Sequence, residues 1–131
     1  MIAITTKSRY AVSALSELAR RGSAGPVPIN EIARRREIPV QFLESLFGSL
    51  RRAGILQSQR GAKGGYSFAR PSDEVTVLEV VEVLEGELGA AAAAAGGVWA
   101  DAAAALRAVL ADVTLAQVAE REARSAPMYY I

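Results

Sequence analysis

Apolar positions recur with a helical period along most of the chain. Leu43, Leu46, Phe47 and Leu50 return at three- and four-residue steps, which predicts a helix opening near Pro39 with one buried face. Its opposite face carries Gln41, Glu44, Ser45, Ser49, Arg51 and Arg52. Upstream, Tyr10, Ala14, Leu15 and Leu18 predict a first helix that starts at a Thr5-Thr6 cap, runs to about Arg21 and stops at Gly22. Ile29, Ile32 and Ala33 predict a shorter second helix, Ile29 to Arg36, opened by Pro28. The tight turn Glu37-Ile38-Pro39 then makes the second and third helices a helix-turn-helix. Past Gly54 the period drops to two, predicting a strand over 55–59 and another over 66–69 with Tyr66 and Phe68 on one face. Between them, Arg60-Gly61-Ala62-Lys63-Gly64-Gly65 forms a hairpin tip with two cations and glycines that permit close approach to another surface.

In the second half, Thr76 and Glu79 read as a capping box for a helix from Val77 to Glu85, ended by Gly86, with Val77, Val80, Val81 and Leu84 inward. Alanine favours helix and glycine opposes it, so the run Leu88 to Gly97, with Ala90 to Ala95 at its centre, is expected to be a mobile loop. A long helix begins at Val98, and its stripe of Trp99, Ala102, Ala103, Leu106, Val109 and Leu110 is large for a lone C-terminal helix to hide. Burial against a second copy is the expected solution, and folding back on the same chain is the alternative. Thr114 caps a short last helix, Leu115 to about Arg124, followed by a tail through Tyr129, Tyr130 and Ile131. The expected fold class is mainly α with a small β-hairpin: a winged helix-turn-helix domain over 1–72, and a helical linker and dimerisation region with a tail over 73–131.

Composition narrows the chemistry. The 131 residues suit one domain, or one with an appended element, and 51% hydrophobic content is enough for a small core. The formal charge of +1 hides an asymmetry, because residues 1–71 hold twelve Lys or Arg against four acids while residues 72–131 hold three against ten. One half is built to meet a polyanion and the other to repel it. There is no cysteine and no histidine, so the chain lacks thiolate metal ligands, disulfides and the commonest general base. With no convincing pair of carboxylates either, an enzyme is not expected, nor a cofactor or metal. Nothing at the start reads as a signal peptide, and no apolar run is long enough to span a bilayer, so a cytoplasmic location away from the membrane is expected.

These features point to double-stranded DNA. A helix sized for the major groove, followed by a cationic finger that reaches a minor groove, is what a winged helix offers a duplex. Lys7 and Arg9 lie in the first turn of the first helix, where cations oppose the helix dipole, and phosphate contact is the preferred use for them. Arg34, Arg35 and Arg36 are consecutive and fan out, so at most one or two can reach one phosphate row. The competing view is a winged helix that binds another protein rather than reading DNA.

Thr5-Thr6-Lys7-Ser8-Arg9-Tyr10-Ala11, Ile32-Ala33, Phe42-Leu43-Glu44, Leu50-Arg51-Arg52-Ala53-Gly54, the Arg60-Gly61-Ala62-Lys63-Gly64-Gly65-Tyr66 wing and Val83-Leu84-Glu85-Gly86 resemble, in order and spacing, the Rrf family of bacterial winged-helix regulators. The resemblance implies a homodimer on a palindromic operator, joined through the long helix by Trp99, Ala103, Leu106, Val109 and Leu110. It also implies base reading from Gln41 and Glu44, with Phe42, Ser45 and Arg51 alongside, and Arg60 with Gly61 and Gly64 in the minor groove. Backbone contacts match Thr6, Lys7, Tyr10 and Lys63. Cluster-binding members place three cysteines after the Leu-Glu-Gly motif, where this chain has alanines. Trp99, Asp112 to Ala116 and the Met128 to Ile131 ending resemble the cluster-free repressors of cysteine metabolism, which implies two readings of Ile131: a plug for cysteine synthase, or an ordinary tail packed along the dimer.

Overall fold

A computed structural model describes residues 4–22 and 25–129, and within it the side chains up to Ser125. The elements follow as α1 (Thr6–Arg20), α2 (Ile29–Arg36), α3 (Val40–Arg52), β1 (Leu56–Gln59), β2 (Gly65–Phe68), α4 (Val77–Glu85), α5 (Ala90–Ala95), α6 (Gly97–Ala111) and α7 (Leu115–Tyr129). A single 3₁₀ turn, Ser72–Glu74, leads out of the hairpin. The fold is a winged helix with added helices, mainly helical with one antiparallel hairpin.

Local chemistry explains the boundaries that set up the helix-turn-helix. The Thr5 side chain accepts from the Lys7 amide at 3.2 Å and starts α1. At the end of α2, Glu37 takes a left-handed conformation with φ 55°, and the Ile38 amide reaches back to the Ala33 carbonyl at 2.9 Å. That is a Schellman closure, and buried Ile38 supplies its apolar contact. Pro39 then opens α3 without breaking a bond, since a first-turn amide has no partner to lose.

The hairpin pairs Leu56 with Phe68 and Gln59 with Gly65. Its β2 edge gains one further pair, because Val27 and Tyr66 exchange backbone bonds at 2.9 and 2.8 Å. The loop before α2 therefore acts as a third strand, one residue long. Tyr66 also sets its ring edge-on to Phe47 of α3 at 5.0 Å, which fixes the wing to the third helix.

Leu15, Ile32, Leu43, Phe47 and Leu50 form the centre of the core. Val75 just before α4, Val80 within it and Leu115 of α7 belong to the same cluster, so the core runs across residue 72. The Thr76–Thr114 bridge binds these two helix starts together, through Val77 to the Val113 carbonyl and Leu115 to the Val75 carbonyl, each 2.9 Å.

Three expectations need correction. Residues 90–95 form a short helix instead of a loop: Gly89 (φ 77°) and Gly96 (φ 76°) punctuate the run at its ends and leave uninterrupted alanine between. The last helix does not stop near Arg124 but continues to Tyr129, with Pro127 in its final turn. Glu79 completes only half of the capping box, since its amide bonds Thr76 at 3.1 Å while its carboxylate turns to Arg70. Tyr130 and Ile131 lie outside the described residues. Among the described residues no helix is long and apolar enough to cross a membrane.

Candidate nucleic-acid interface

Helix geometry divides α3 in two. Leu43, Leu46, Phe47 and Leu50 are buried, while Gln41, Glu44, Ser45, Arg51 and Arg52 are exposed. At 100° per residue, Gln41, Glu44, Ser45, Gly48 and Arg52 share the outward ridge. Gly48 was not singled out from the sequence. It leaves a bare notch mid-ridge, where an added Cβ would meet only the tip of Arg52, at 3.5 Å.

Phe42 lies on the flank of α3, half-buried, with Tyr10 edge-on at 5.6 Å. The starts of α1 and α3 are thus joined by an aromatic pair, and both residues contribute as much to packing as to any surface. Thr6 is exposed. Lys7 donates from Nζ to the Leu84 carbonyl at 3.1 Å, so in this structure its charge rests on the C-terminus of α4. Helix dipole and cation agree there.

On the wing, Arg60, Gly61 and Lys63 are exposed, and neither cation has an ion-pair partner among the described residues. Gly64 is the buried member of the tip. A Cβ on Gly64 would lie 2.1 Å from the Gln59 carbonyl oxygen, and one on Gly65 (φ 147°) 2.3 Å from the Val27 carbonyl. The two glycines shape the turn, leaving Arg60 and Lys63 to project.

The three consecutive arginines separate as their spacing requires. Arg36 is drawn inward, donating to Glu17 at 3.1 Å and to Glu122 at 2.9 and 3.0 Å. Arg35 comes within 3.7 Å of Glu17, and Arg34 stays exposed. Glu17 is only 5% exposed and also accepts from Arg21 at 3.0 Å, while Ser16 donates to Glu122. Burial pushes both carboxyls up, but the hydrogen bonds and guanidinium charges outweigh it and hold Glu17 and Glu122 below the usual carboxylate range. Sequence reading missed this network, although Glu17 gave a signal: an acid set between Leu15 and Leu18 on a buried face needs a cation from another element.

On α6, Val98, Trp99 and Val109 are 67%, 63% and 61% exposed, and Leu106 and Leu110 are half-buried. Ala103 departs from the expectation for the dimer stripe. At 2% exposure it already faces the chain's own interior, because α6 turns this side toward α4 and α5.

An exposed polar helix ridge, braced by aromatics against a bare cationic hairpin, defines the winged helix-turn-helix class. Residues 4–121 match the Rrf2 family, described as iron-dependent transcriptional regulators, and the chain belongs to that family. Its members are regulators rather than enzymes. An HTH-type transcriptional regulator of Neisseria meningitidis serogroup A is 40% identical over 87 residues, covering 66% of this chain and 59% of the relative. The chain thus spans about three fifths of the length of the curated relatives it matches. Among solved structures, CymR, the global cysteine regulator of B. subtilis, superposes with a TM-score of 0.82 at 33% identity, covering 92% of this chain and 98% of that one. IscR of T. potens gives 0.81 at 35% identity, covering 98% and 97%.

The donor set does not fit an iron–sulfur cluster. These 131 residues contain no thiolate and no imidazole, and among the described residues no group of three or more potential ligands could hold a metal.

Proposed function

We propose that the protein binds duplex DNA as a homodimer and regulates transcription of sulfur and cysteine genes without an iron–sulfur cluster. One observation carries the DNA reading: the outward ridge of α3 is polar and exposed, and beside it the wing tip holds Arg60 and Lys63 free of ion pairs among the described residues. Gln41, Glu44 and Ser45, with Phe42 and Arg51 beside them, supply donors and acceptors for base edges, and the two wing cations supply phosphate or minor-groove contact. Thr6, Lys7 and Tyr10 lie at the start of α1, where the backbone would pass. The exposed apolar positions of α6 support a second copy, and the likeness to a global cysteine regulator supports the sulfur assignment.

The test is a fluorescence-anisotropy titration on promoter DNA at several salt concentrations. Affinity should fall with a log-log slope of about −0.9 for each phosphate contact. Arg60→Ala should weaken specific binding by roughly 1 to 3 kcal/mol. An absence of salt-dependent binding would overturn the reading in favour of a protein-interaction module, and an unchanged Arg60→Ala variant would overturn the assignment of the wing. Mapping the bound genomic DNA then tests the sulfur assignment, since sites beside unrelated genes would remove it. Within the same reading, cysteine synthase is the partner suited to the Met128–Ile131 segment. Co-purification should be lost when Tyr130 and Ile131 are deleted, and an unchanged complex would exclude that partner.

A further inference from the structure

Three glutamates of α4 repeat at three-residue spacing, and each is committed to a different element. Glu79 takes the guanidinium of Arg70 at the exit of the hairpin, with one bond at 3.1 Å, and Arg70 also donates to the Glu74 carbonyl at 2.8 Å. Glu85 accepts from the Thr5 amide and from the Ser8 hydroxyl, both at 2.7 Å. Glu82 accepts from Arg107 of α6. Steps of three residues turn each carboxylate about 60° from the last, so together they cover about 120° of one short, rigid helix.

The middle glutamate does more than form an ion pair. Its carboxylate also accepts from the Leu88 amide at 3.1 Å, and Arg107 returns to the Leu88 carbonyl at 3.3 Å. Both backbone polar groups of Leu88 are thus closed into one ring with Glu82 and Arg107, and the Leu88 side chain is buried. Leu88 leads directly into Gly89 and α5. That helix is alanine throughout and has no polar side chain to anchor it, while glycines of positive φ flank it on both sides.

We propose that the Glu82–Arg107–Leu88 ring is a clamp that positions α5, and that α4 transmits the state of the clamp to the root of the wing through Glu79 and Arg70. Arg107 and Arg70 are positioning residues, acting on DNA only through the elements they hold. Releasing Glu82 removes one of the three carboxylate restraints on α4, and Glu79, one turn earlier on the same helix, passes the resulting shift to Arg70. The effect on DNA affinity rests on the DNA-binding reading above; the clamp and its transmission do not.

Amide hydrogen exchange on the full chain, without DNA, tests it. In Arg107→Gln, exchange should quicken several-fold over 86–97 and also over 65–70, remote in sequence and separated from the clamp by α4. Arg107→Lys, which keeps the charge but not the paired geometry, should show the same pattern more weakly and serves if the first variant does not fold. Exchange that quickens only within 82–97 overturns the proposal. In a parallel titration, Arg107→Gln and Glu79→Gln should each lower operator affinity several-fold, with the double variant losing less than the product of the two. Fully multiplicative losses also overturn transmission. A wild-type chain that binds no DNA defeats the functional reading alone, and the exchange pattern still decides the clamp.

Discussion

Gly64 and Gly65 are adjacent but constrained for different reasons. Gly64 is not among the glycines of positive φ, and what excludes a side chain there is the Gln59 carbonyl and the Arg60 backbone across the turn. Gly65 combines φ 147° with direct contact on Val27, the residue whose bridge to Tyr66 holds the wing down. Gly65→Ala should therefore cost more than about 1 kcal/mol of stability, since both conformation and space are wrong for a methyl group. A denaturant melt checks the stability, and a near-UV spectrum of Tyr66 against Phe47 should lose intensity. A Gly65→Ala variant as stable as wild type would mean that the bridge contributes nothing. At this scale the sequence was informative, because a cationic tip with glycines announced a tight turn. Gly48 was not legible, since a glycine within a helix gives no sign of whether its bare side faces core or solvent.

Charged groups that join elements decide how α1, α2 and α7 sit together. Glu17 and Glu122 are both held below the ordinary carboxylate range, after burial's upward push is overcome by Arg21, Arg36 and Ser16. A lowered carboxylate stabilises the fold fully above its unfolded value, about 4.3 for glutamate, and loses that contribution as pH falls through the lower folded value. Thermal stability should thus hold from neutral pH to about 5 and decline below about 4.3, within the range set by those two shifts. In Glu122→Gln the melting temperature should be lower at neutral pH, and the gap to wild type should narrow toward pH 3. A gap independent of pH would show that the ionised carboxylate is not what binds α7 to α2. Apolar period revealed α1 to α4 and the hairpin within a residue or two, because each buries one continuous face. It failed at α5, where no apolar or polar contrast exists, and at the end of α7. The Glu17–Arg36–Glu122 link joins residues over a hundred positions apart, so only the buried position of Glu17 hinted at it.

At the scale of the whole molecule, α6 presents an apolar face that its own chain does not cover. Val98, Trp99 and Val109 stay more than three-fifths exposed, although α6 already buries Ala103 against its own chain. Fully burying such side chains gives roughly 1.5 to 3 kcal/mol each, so six of them in two copies yield on the order of 10 kcal/mol. Association itself costs an estimated 4 to 15 kcal/mol, a figure of the same size, so a dimer resting on this face has little in reserve. A single substitution at its largest member should be decisive. Trp99→Glu removes one aromatic from each copy and buries a charge in its place, so the dimer should weaken by roughly 1,000-fold, equivalent to about 4 kcal/mol. Sedimentation at micromolar concentration should then show a monomer with unchanged helix content. Two linked reading helices gain affinity from binding half-sites about one DNA turn apart, so the monomer should lose affinity for a full operator while keeping its affinity for a single half-site. If Trp99→Glu sediments as a dimer and binds the full operator as well as wild type, the exposed face of α6 has another purpose and the two copies meet elsewhere.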